Sequence, residues 1–178
     1  CLNYKHSQHV TRATYSKHPT YTAPMETLQC DLLGPVTKAH RYQYIAVVID
    51  MASKFVILFP LKSREADHLA VNIWKHVILQ HGTFNQLRSD AAAEFTSKIV
   101  AQLNKMLGIT HIISAGYTPL AQHSAERFNA TLGDSLRCLT RDRHKDWPQY
   151  VQQIAFAWNV YPLNDTGLTP SILFYARQ

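Results

Sequence analysis

The strongest constraint on the fold is a pair of apolar segments separated by only a short turn. The first is "YQYIAVVIDM" (residues 42–51), which is rich in β-branched residues, and the second is "KFVILFPL" (residues 54–61). Apolar, β-branched runs of this kind are typical of strands that are covered on both faces. Because the "DMAS" segment between them predicts a turn, we expect the two strands to pair as an antiparallel hairpin.

The segments on either side of this hairpin predict a mixed sheet with helices on both faces. Upstream, "METLQCDLLGP" predicts a strand that ends at its Gly-Pro pair. Downstream, helical spacing of apolar residues alternates with short strand-like runs. The predicted downstream elements are a helix over 64–80, a strand in 84–89, a helix over 97–108, a strand in 109–114, and helices over 122–140, 146–162 and 169–177. The order βββαβαβααα is that of an α/β domain.

Length, charge and cysteine content limit the class of protein. The chain has 178 residues, which suits one domain, and its formal charge of +6 with a pI of about 9.3 favours an anionic partner such as nucleic acid. No apolar run is long enough to predict a membrane span. The cysteines are too few and too scattered for a disulfide framework. We expect Cys30 and Cys138 to be small residues of the core.

Residues 1–23 are predicted to form a basic linker ahead of the domain at 24–178. They contain Lys5, Arg12 and Lys17, no acidic residue and little apolar periodicity. Two interpretations stay open, a solvated linker and an arm that lies on phosphates. A lone cysteine with nearby histidines is not a plausible zinc ligand set, so no zinc is expected in this chain.

Three acidic residues stand where a carboxylate is costly unless it has a use. Asp31 interrupts the first predicted strand, Asp90 ends the fourth, and Glu126 lies near the start of the long helix. Together, three carboxylates suit two magnesium or manganese ions ~4 Å apart, the arrangement used for in-line phosphoryl transfer. Separately, each acid has a structural alternative, as a turn acceptor, a helix N-cap and a surface ion-pair partner, respectively.

The spacing of these acids and the segments around them resemble one protein family. Between Asp90 and Glu126 lie 35 residues, and "CDLLGPV", "LRSDAAAEF", "ERFNATL" and "TGLTPSILFYAR" follow one another as in the catalytic cores of retroviral and gypsy-type retrotransposon integrases. The resemblance covers residues 24–178. It implies a ribonuclease-H-like α/β fold with a five-stranded mixed sheet, in which strands 1–3 are antiparallel and strands 4 and 5 are parallel.

The resemblance also implies a function. It implies a polynucleotidyl transferase that trims the 3′ ends of element DNA and joins them to target DNA, with Asp31, Asp90 and Glu126 as catalytic residues that hold two Mg²⁺ or Mn²⁺ ions. Glu94 is then excluded as a ligand, and Asp50 belongs to the hairpin turn. The implied partners are double-stranded DNA and further copies of the chain, in the nucleus after a cytoplasmic phase, and the 1–23 linker would follow an upstream zinc-binding module.

Basic residues near the third acid are the predicted DNA contacts. The family often has basic residues four and seven positions after its glutamate, where this chain has Ala130 and Gly133. The family also usually has a glycine in the segment that is Ala91–Ala93 in this chain. The predicted contacts are therefore Arg127, Arg137, Arg141, Lys5, Arg12 and Lys17. These departures leave open a domesticated or degenerate integrase-derived module that binds DNA or protein without catalysis. A related metal nuclease on the same fold is a further alternative.

Overall fold

The computed structural model describes residues 21–113, 119–141 and 143–175, and within 119–126 it describes the backbone alone. Lys5, Arg12, Lys17 and nearly all of the predicted linker therefore lie outside the described residues. The strands of the described part are β1 (Thr27–Leu33), β2 (Tyr44–Asp50), β3 (Val56–Leu61), β4 (Gln86–Ser89) and β5 (Thr110–Ile113). Its helices are α1 (Ala66–Ile73), α2 (Leu79–His81), α3 (Ala93–Thr96), α4 (Lys98–Leu107), α5 (Pro119–Thr140), α6 (Trp147–Val160) and α7 (Pro170–Tyr175).

The five strands form one mixed sheet in the order β3-β2-β1-β4-β5. β2 pairs antiparallel with both β1 and β3, while β4 pairs parallel with both β1 and β5. The predicted hairpin and the predicted mixed sheet are both confirmed. β1 is the central strand, and it separates the antiparallel half of the sheet from the parallel half.

Helices cover both faces of this sheet and create two cores. On one face, strand residues pack with α1, α3 and α4 around buried side chains that include Leu28, Cys30, Val48, Phe59, Leu69, Phe95 and Val100. On the other face, α5 and α6 pack over a second set that includes Ile45, Val47, Val56, Phe128, Leu132, Trp147 and Val151. Because side chains alternate along a strand, Leu28 and Cys30 of β1 face the first core and Asp31 faces the α5 side.

The helices differ from the predictions in detail. The predicted helix over 64–80 consists of α1 and α2 joined by a π-helical segment, Trp74–Ile78, and α5 begins at Pro119 rather than at residue 122. Cys30 is buried as predicted, but the prediction of Cys138 as a core residue is wrong because its side chain is exposed. Successive residues of a helix are rotated by about 100° about its axis, so Cys138 lies on a different side of α5 from the core residue Leu132. None of the described helices is long and apolar enough to cross a membrane.

Gly34, which follows β1, occupies a position that a side chain cannot enter. Its φ is +140°, and a Cβ atom built on it would lie 2.8 Å from the carbonyl oxygen of Gln43 and 2.8 Å from Cδ1 of Tyr44. Both the backbone conformation and the space therefore require glycine.

We expect Gly34→Ala to lower the free energy of unfolding by about 2–4 kcal/mol, through backbone strain and overpacking. Gly133→Ala is the matched control, because a Cβ at Gly133 in α5 meets no described atom within 4 Å. Alanine favours a helix interior over glycine, so the control should gain up to about 1 kcal/mol. Urea unfolding of both variants measures the difference, and equal effects would contradict the steric account of Gly34.

Candidate active site

Asp31 and Asp90 are brought together by the parallel pairing of β1 with β4. Leu28 pairs with Leu87 and Gln29 pairs with Arg88, and the same register continued by two residues sets Asp31 beside Asp90. Neighbouring strands lie roughly 4.8 Å apart, and residues in register on parallel strands point to the same face. Asp31 is half-buried and Asp90 is exposed. The pairing of β1 with β4 thus brings Asp31 and Asp90 to the same edge of the sheet, where β4 ends.

The charges of Asp31 and Asp90 both affect the thiol of Cys30. Burial raises the pKa of the Cys30 thiol, and the negative charges of Asp31 and Asp90 raise this pKa further. Cys30 precedes Asp31 on β1, and its side chain is buried in the first core. A thiol with a raised pKa stays protonated and does not itself act as a nucleophile.

Asp31 is held by a side chain from α5. Its Oδ2 accepts a hydrogen bond from Nδ2 of Asn129 at 2.9 Å, and its Oδ1 accepts one from the backbone N–H of Leu32 at 2.8 Å. Asn129 stands one helical turn after Glu126, and residues three apart share a helix face. The backbone of Glu126 therefore lies on the side of α5 that is turned toward Asp31. The side chain of Glu126 lies outside the described part of the chain, so its role stays a prediction.

Glu94 has a different partner. Its side chain is only 5% exposed, and its Oε1 accepts hydrogen bonds from Nη2 of Arg64 at 2.7 Å and from Nε at 3.1 Å. The hydrogen bond with Glu94 raises the pKa of Arg64, and the charges of Glu94 and Asp90 add to this effect. The ion pair ties α3, just after Asp90, to the connection between β3 and α1.

Asp50 organises the turn of the hairpin, where the sequence places it. It is buried at the end of β2. Its Oδ1 accepts from the backbone N–H of Met25 at 2.9 Å, while its Oδ2 accepts from the backbone N–H and the hydroxyl of Ser53 at 2.7 and 2.6 Å. All of these contacts are structural.

The residues around Asp31 suit a hard divalent cation. Oδ1 of Asn129 is buried and has no hydrogen-bond partner among the described residues, and it belongs to the side chain that contacts Asp31. Carboxylate and amide oxygens are the ligands that Mg²⁺ and Mn²⁺ prefer. Among the described side chains, no group of three or more His, Cys, Asp and Glu residues could hold a metal ion. Glu126, the predicted third ligand, is not among these described side chains.

The predicted DNA-contacting arginines do not all lie on the same side of α5. Arg137 lines an open cavity of about 540 Å³ together with Asn129, Gly133 and His144, and it pairs with Asp134. The structure therefore brings Arg137 to the Asp31 side of the helix. Two further arginines are placed differently.

Arg127 lies about 160° round the helix from Asn129 and lines a separate cavity of about 520 Å³ with Lys54 and Asp165. Arg141 is exposed just beyond the last residue of α5, with a φ of +30°. The structure thus does not bring Arg127 to the aspartates.

Two residues near the site were missed at the level of sequence. Asn129 had a usable signal, because it stands three residues after Glu126 in "ERFN" and must share its helix face. Arg64 had none, because it lies 30 residues from Glu94 in sequence and only the packing of α1 against α3 brings the two together.

Comparison with known proteins identifies relatives over most of the chain. The family model described as "Integrase core domain" matches residues 21–119, more than half of the 178 residues. The Gag-Pol polyprotein of avian reticuloendotheliosis virus is 26% identical over 153 residues, covering 86% of this chain and 13% of that protein. Human gypsy retrotransposon integrase-like protein 1 is 24% identical over 155 residues, covering 86% and 29%. The chain thus spans less than a third of either relative.

Solved structures share the fold. A chain of the simian T-cell lymphotropic virus intasome, solved in complex with PP2A regulatory subunit B56 gamma, matches with a TM-score of 0.75 and 18% identity, covering 89% of this chain and 57% of that one. The HTLV-2 integrase catalytic core domain in complex with magnesium matches with a TM-score of 0.71 and 17% identity, covering 85% and 97%. The predicted ribonuclease-H-like fold is confirmed, and the chain belongs to the integrase core domain family.

Proposed function

We propose that this chain is the catalytic core of a divalent-metal-dependent polynucleotidyl transferase. It would trim the 3′ ends of element DNA and join them to target DNA in the nucleus. The observation that supports the proposal is the parallel pairing of β1 with β4, because its register, continued by two residues, leads to Asp31 on one strand and Asp90 after the other. The contact from Asn129 supports Glu126 as the third ligand, because it turns the face of α5 that carries Glu126 toward Asp31.

Each residue of the site has a distinct task in this proposal. Asp31, Asp90 and Glu126 hold the cations, and Asn129 keeps the carboxylate of Asp31 in one orientation. When bound, two Mg²⁺ or Mn²⁺ ions activate the attacking oxygen and stabilise the leaving oxygen of an in-line displacement at phosphorus. The attacking group is water in end trimming and the freed 3′ hydroxyl in joining, so no residue of the protein forms a covalent bond to DNA.

Charge and shape support DNA as the substrate. The formal charge is +6, and the cavity that contains Asn129 is also lined by Arg137 and His144. Contacts of this type bind phosphates and position a duplex without reading its sequence. The similarity to a chain of a viral intasome supports action on DNA by several copies of the chain together.

One observation favours a second candidate, a DNA-binding module without catalysis. The surface of α5 beside Asn129 carries Ala130 and Gly133, which offer no charge to a phosphate, and both line the cavity next to Asp31. The segment that joins Asp90 to α3 consists of Ala91 and Ala92 and has no glycine. Such a chain would bind DNA through arginines elsewhere on the surface and leave it uncut.

Cleavage of a branched DNA that imitates the joined product separates the two candidates. This substrate holds the reacting groups close together, which otherwise requires an assembly of several chains on two DNA ends. We expect the chain to resolve it with Mn²⁺ or Mg²⁺ and to lose this activity in EDTA, while it fails to join two ends concertedly. A folded chain that binds the branched DNA but never cleaves it with either metal would favour the non-catalytic module.

A further inference from the structure

A buried serine and a histidine lie directly behind Asp90. Ser89 is the last residue of β4 and is 3% exposed. Its Oγ lies 2.8 Å from the carbonyl oxygen of Asp90 and 2.9 Å from Nε2 of His111 on β5. Three groups thus form a continuous chain of hydrogen bonds that ends on the backbone of a predicted metal ligand.

The direction of these hydrogen bonds follows from counting protons. A serine hydroxyl has one proton to donate, and the carbonyl oxygen of Asp90 can only accept. Ser89 therefore donates to Asp90 and must accept from His111, which requires a proton on Nε2 of the imidazole. Burial lowers the pKa of His111, which favours the neutral ring, and the contact with Ser89 then requires that the single proton of this ring lies on Nε2.

The side chains of Ser89 and His111 lie on one face of the sheet, and the carboxylates of Asp31 and Asp90 belong to the other face. His111 pairs in the ladder with Leu87, which is in the first core, so the imidazole reaches diagonally to Ser89 on that face. Asp90 is one residue further along, and alternation turns its side chain to the other face. Ser89 and His111 therefore influence Asp90 through its backbone alone.

Among the residues that the structure describes, those on the other side of Asp90 restrain it little. Its Oδ1 accepts one hydrogen bond, from the backbone N–H of Ala92 at 3.1 Å. The three alanines that follow have no polar side chain to anchor the loop before the ion pair of Glu94 with Arg64. The contacts that can hold the peptide group of Asp90 in place therefore come from Ser89 on β4 and His111 on β5.

We propose that His111 and Ser89 are positioning residues that fix the peptide group of Asp90 and so aim its carboxylate at the cation shared with Asp31. This inference rests on the proposed function, since it assigns the two residues to the same metal site. In this proposal, Ser89 and His111 act through Asp90 and bind neither metal nor DNA themselves. Supporting groups that orient metal ligands typically contribute ~10–100-fold to metal affinity.

Substitution of His111 tests the requirement for a hydrogen-bond donor. Glutamine can present an N–H close to the position of Nε2, whereas leucine fills the space without a donor. We expect His111→Leu to weaken Mn²⁺ binding in calorimetry by roughly 10-fold, and His111→Gln to restore it to within about 3-fold of wild type. Affinity for duplex DNA without metal should be unchanged in both variants, since DNA contacts lie elsewhere.

The tautomer of His111 gives a second measurement that needs no variant. Nitrogen-15 NMR of the wild-type chain should show Nε2 protonated and Nδ1 unprotonated at pH 7. Mn²⁺ binding with an Nδ1–H tautomer would overturn this inference alone, and so would equal Mn²⁺ affinities of His111→Leu and His111→Gln. A wild-type chain that binds no Mn²⁺ would instead overturn the proposed function.

Discussion

Asp31→Asn, Asp90→Asn and Glu126→Gln are each expected to lower the rate of metal-dependent DNA cleavage by more than ~100-fold. Groups that merely support metal ligands already contribute ~10–100-fold, so the loss of a ligand itself should cost more. The substitutions keep side-chain size and remove one negative charge. Single-turnover cleavage of the branched DNA with Mn²⁺ measures the effect.

Glu94→Gln is the matched control, because it also removes one carboxylate charge close to Asp90. Its side chain accepts hydrogen bonds from Arg64 rather than facing Asp31, so we expect cleavage to be retained. Urea unfolding of Asp31→Asn checks that a loss of cleavage is not a loss of folding, because both carboxylate oxygens of Asp31 accept hydrogen bonds. An inactive Glu94→Gln beside an active Glu126→Gln would reassign the third ligand to Glu94.

Asp50→Ala should have the opposite profile, with a large loss of stability and no role in the chemistry. The buried carboxylate accepts hydrogen bonds from Met25 and Ser53, and its removal leaves two backbone N–H groups and a hydroxyl without their acceptor. Hydrogen bonds to a charged group contribute about 1.5–3 kcal/mol each, but such contributions are not additive. We expect a loss of about 3–4 kcal/mol in the free energy of unfolding, measured by urea titration.

Asp67→Ala serves as the control for this variant. Asp67 is exposed in the first turn of α1 and accepts a hydrogen bond only from the backbone N–H of its neighbour His68 among the contacts described. Its removal should cost at most about 1 kcal/mol, the scale of a charge at a helix N-terminus. If Asp50→Ala unfolds no more easily than this control, the carboxylate does not organise the hairpin turn.

The sequence was most informative where the structure depends on local pattern. The apolar runs of β2 and β3 are long and β-branched, so their pairing as a hairpin follows from burial alone. The short helix α3 was missed because its four residues, which include Glu94, are too few to show a helical period. The prediction started α5 three residues late, at residue 122. Proline at position 119 is compatible with the first turn of a helix, but no apolar periodicity marks the start of a helix at this point of the sequence.

The candidate site depended on longer-range information. Spacing and resemblance predicted Asp31 and Asp90 as site residues, but whether the two come together depends on which strand β1 pairs with, and strand pairing is not encoded locally. Arg137 and Arg127 could not be told apart by charge, although the helix turns them toward different cavities. Ser89 and His111 are ordinary strand residues in sequence, and only the β4–β5 ladder brings them together.

The central position of β1 has a consequence for the order of folding. β2 and β3 are close in sequence and can pair early, whereas β4 must close a loop of more than 50 residues before it reaches β1. Closing such a loop costs chain entropy before any contact compensates it, so pairing of this kind is intrinsically slow. Asp31 and Asp90 therefore meet only when the parallel half of the sheet is complete. A nascent or partly unfolded chain would have both carboxylates but not the proposed site, so any proposed metal-dependent chemistry would wait until the domain is whole.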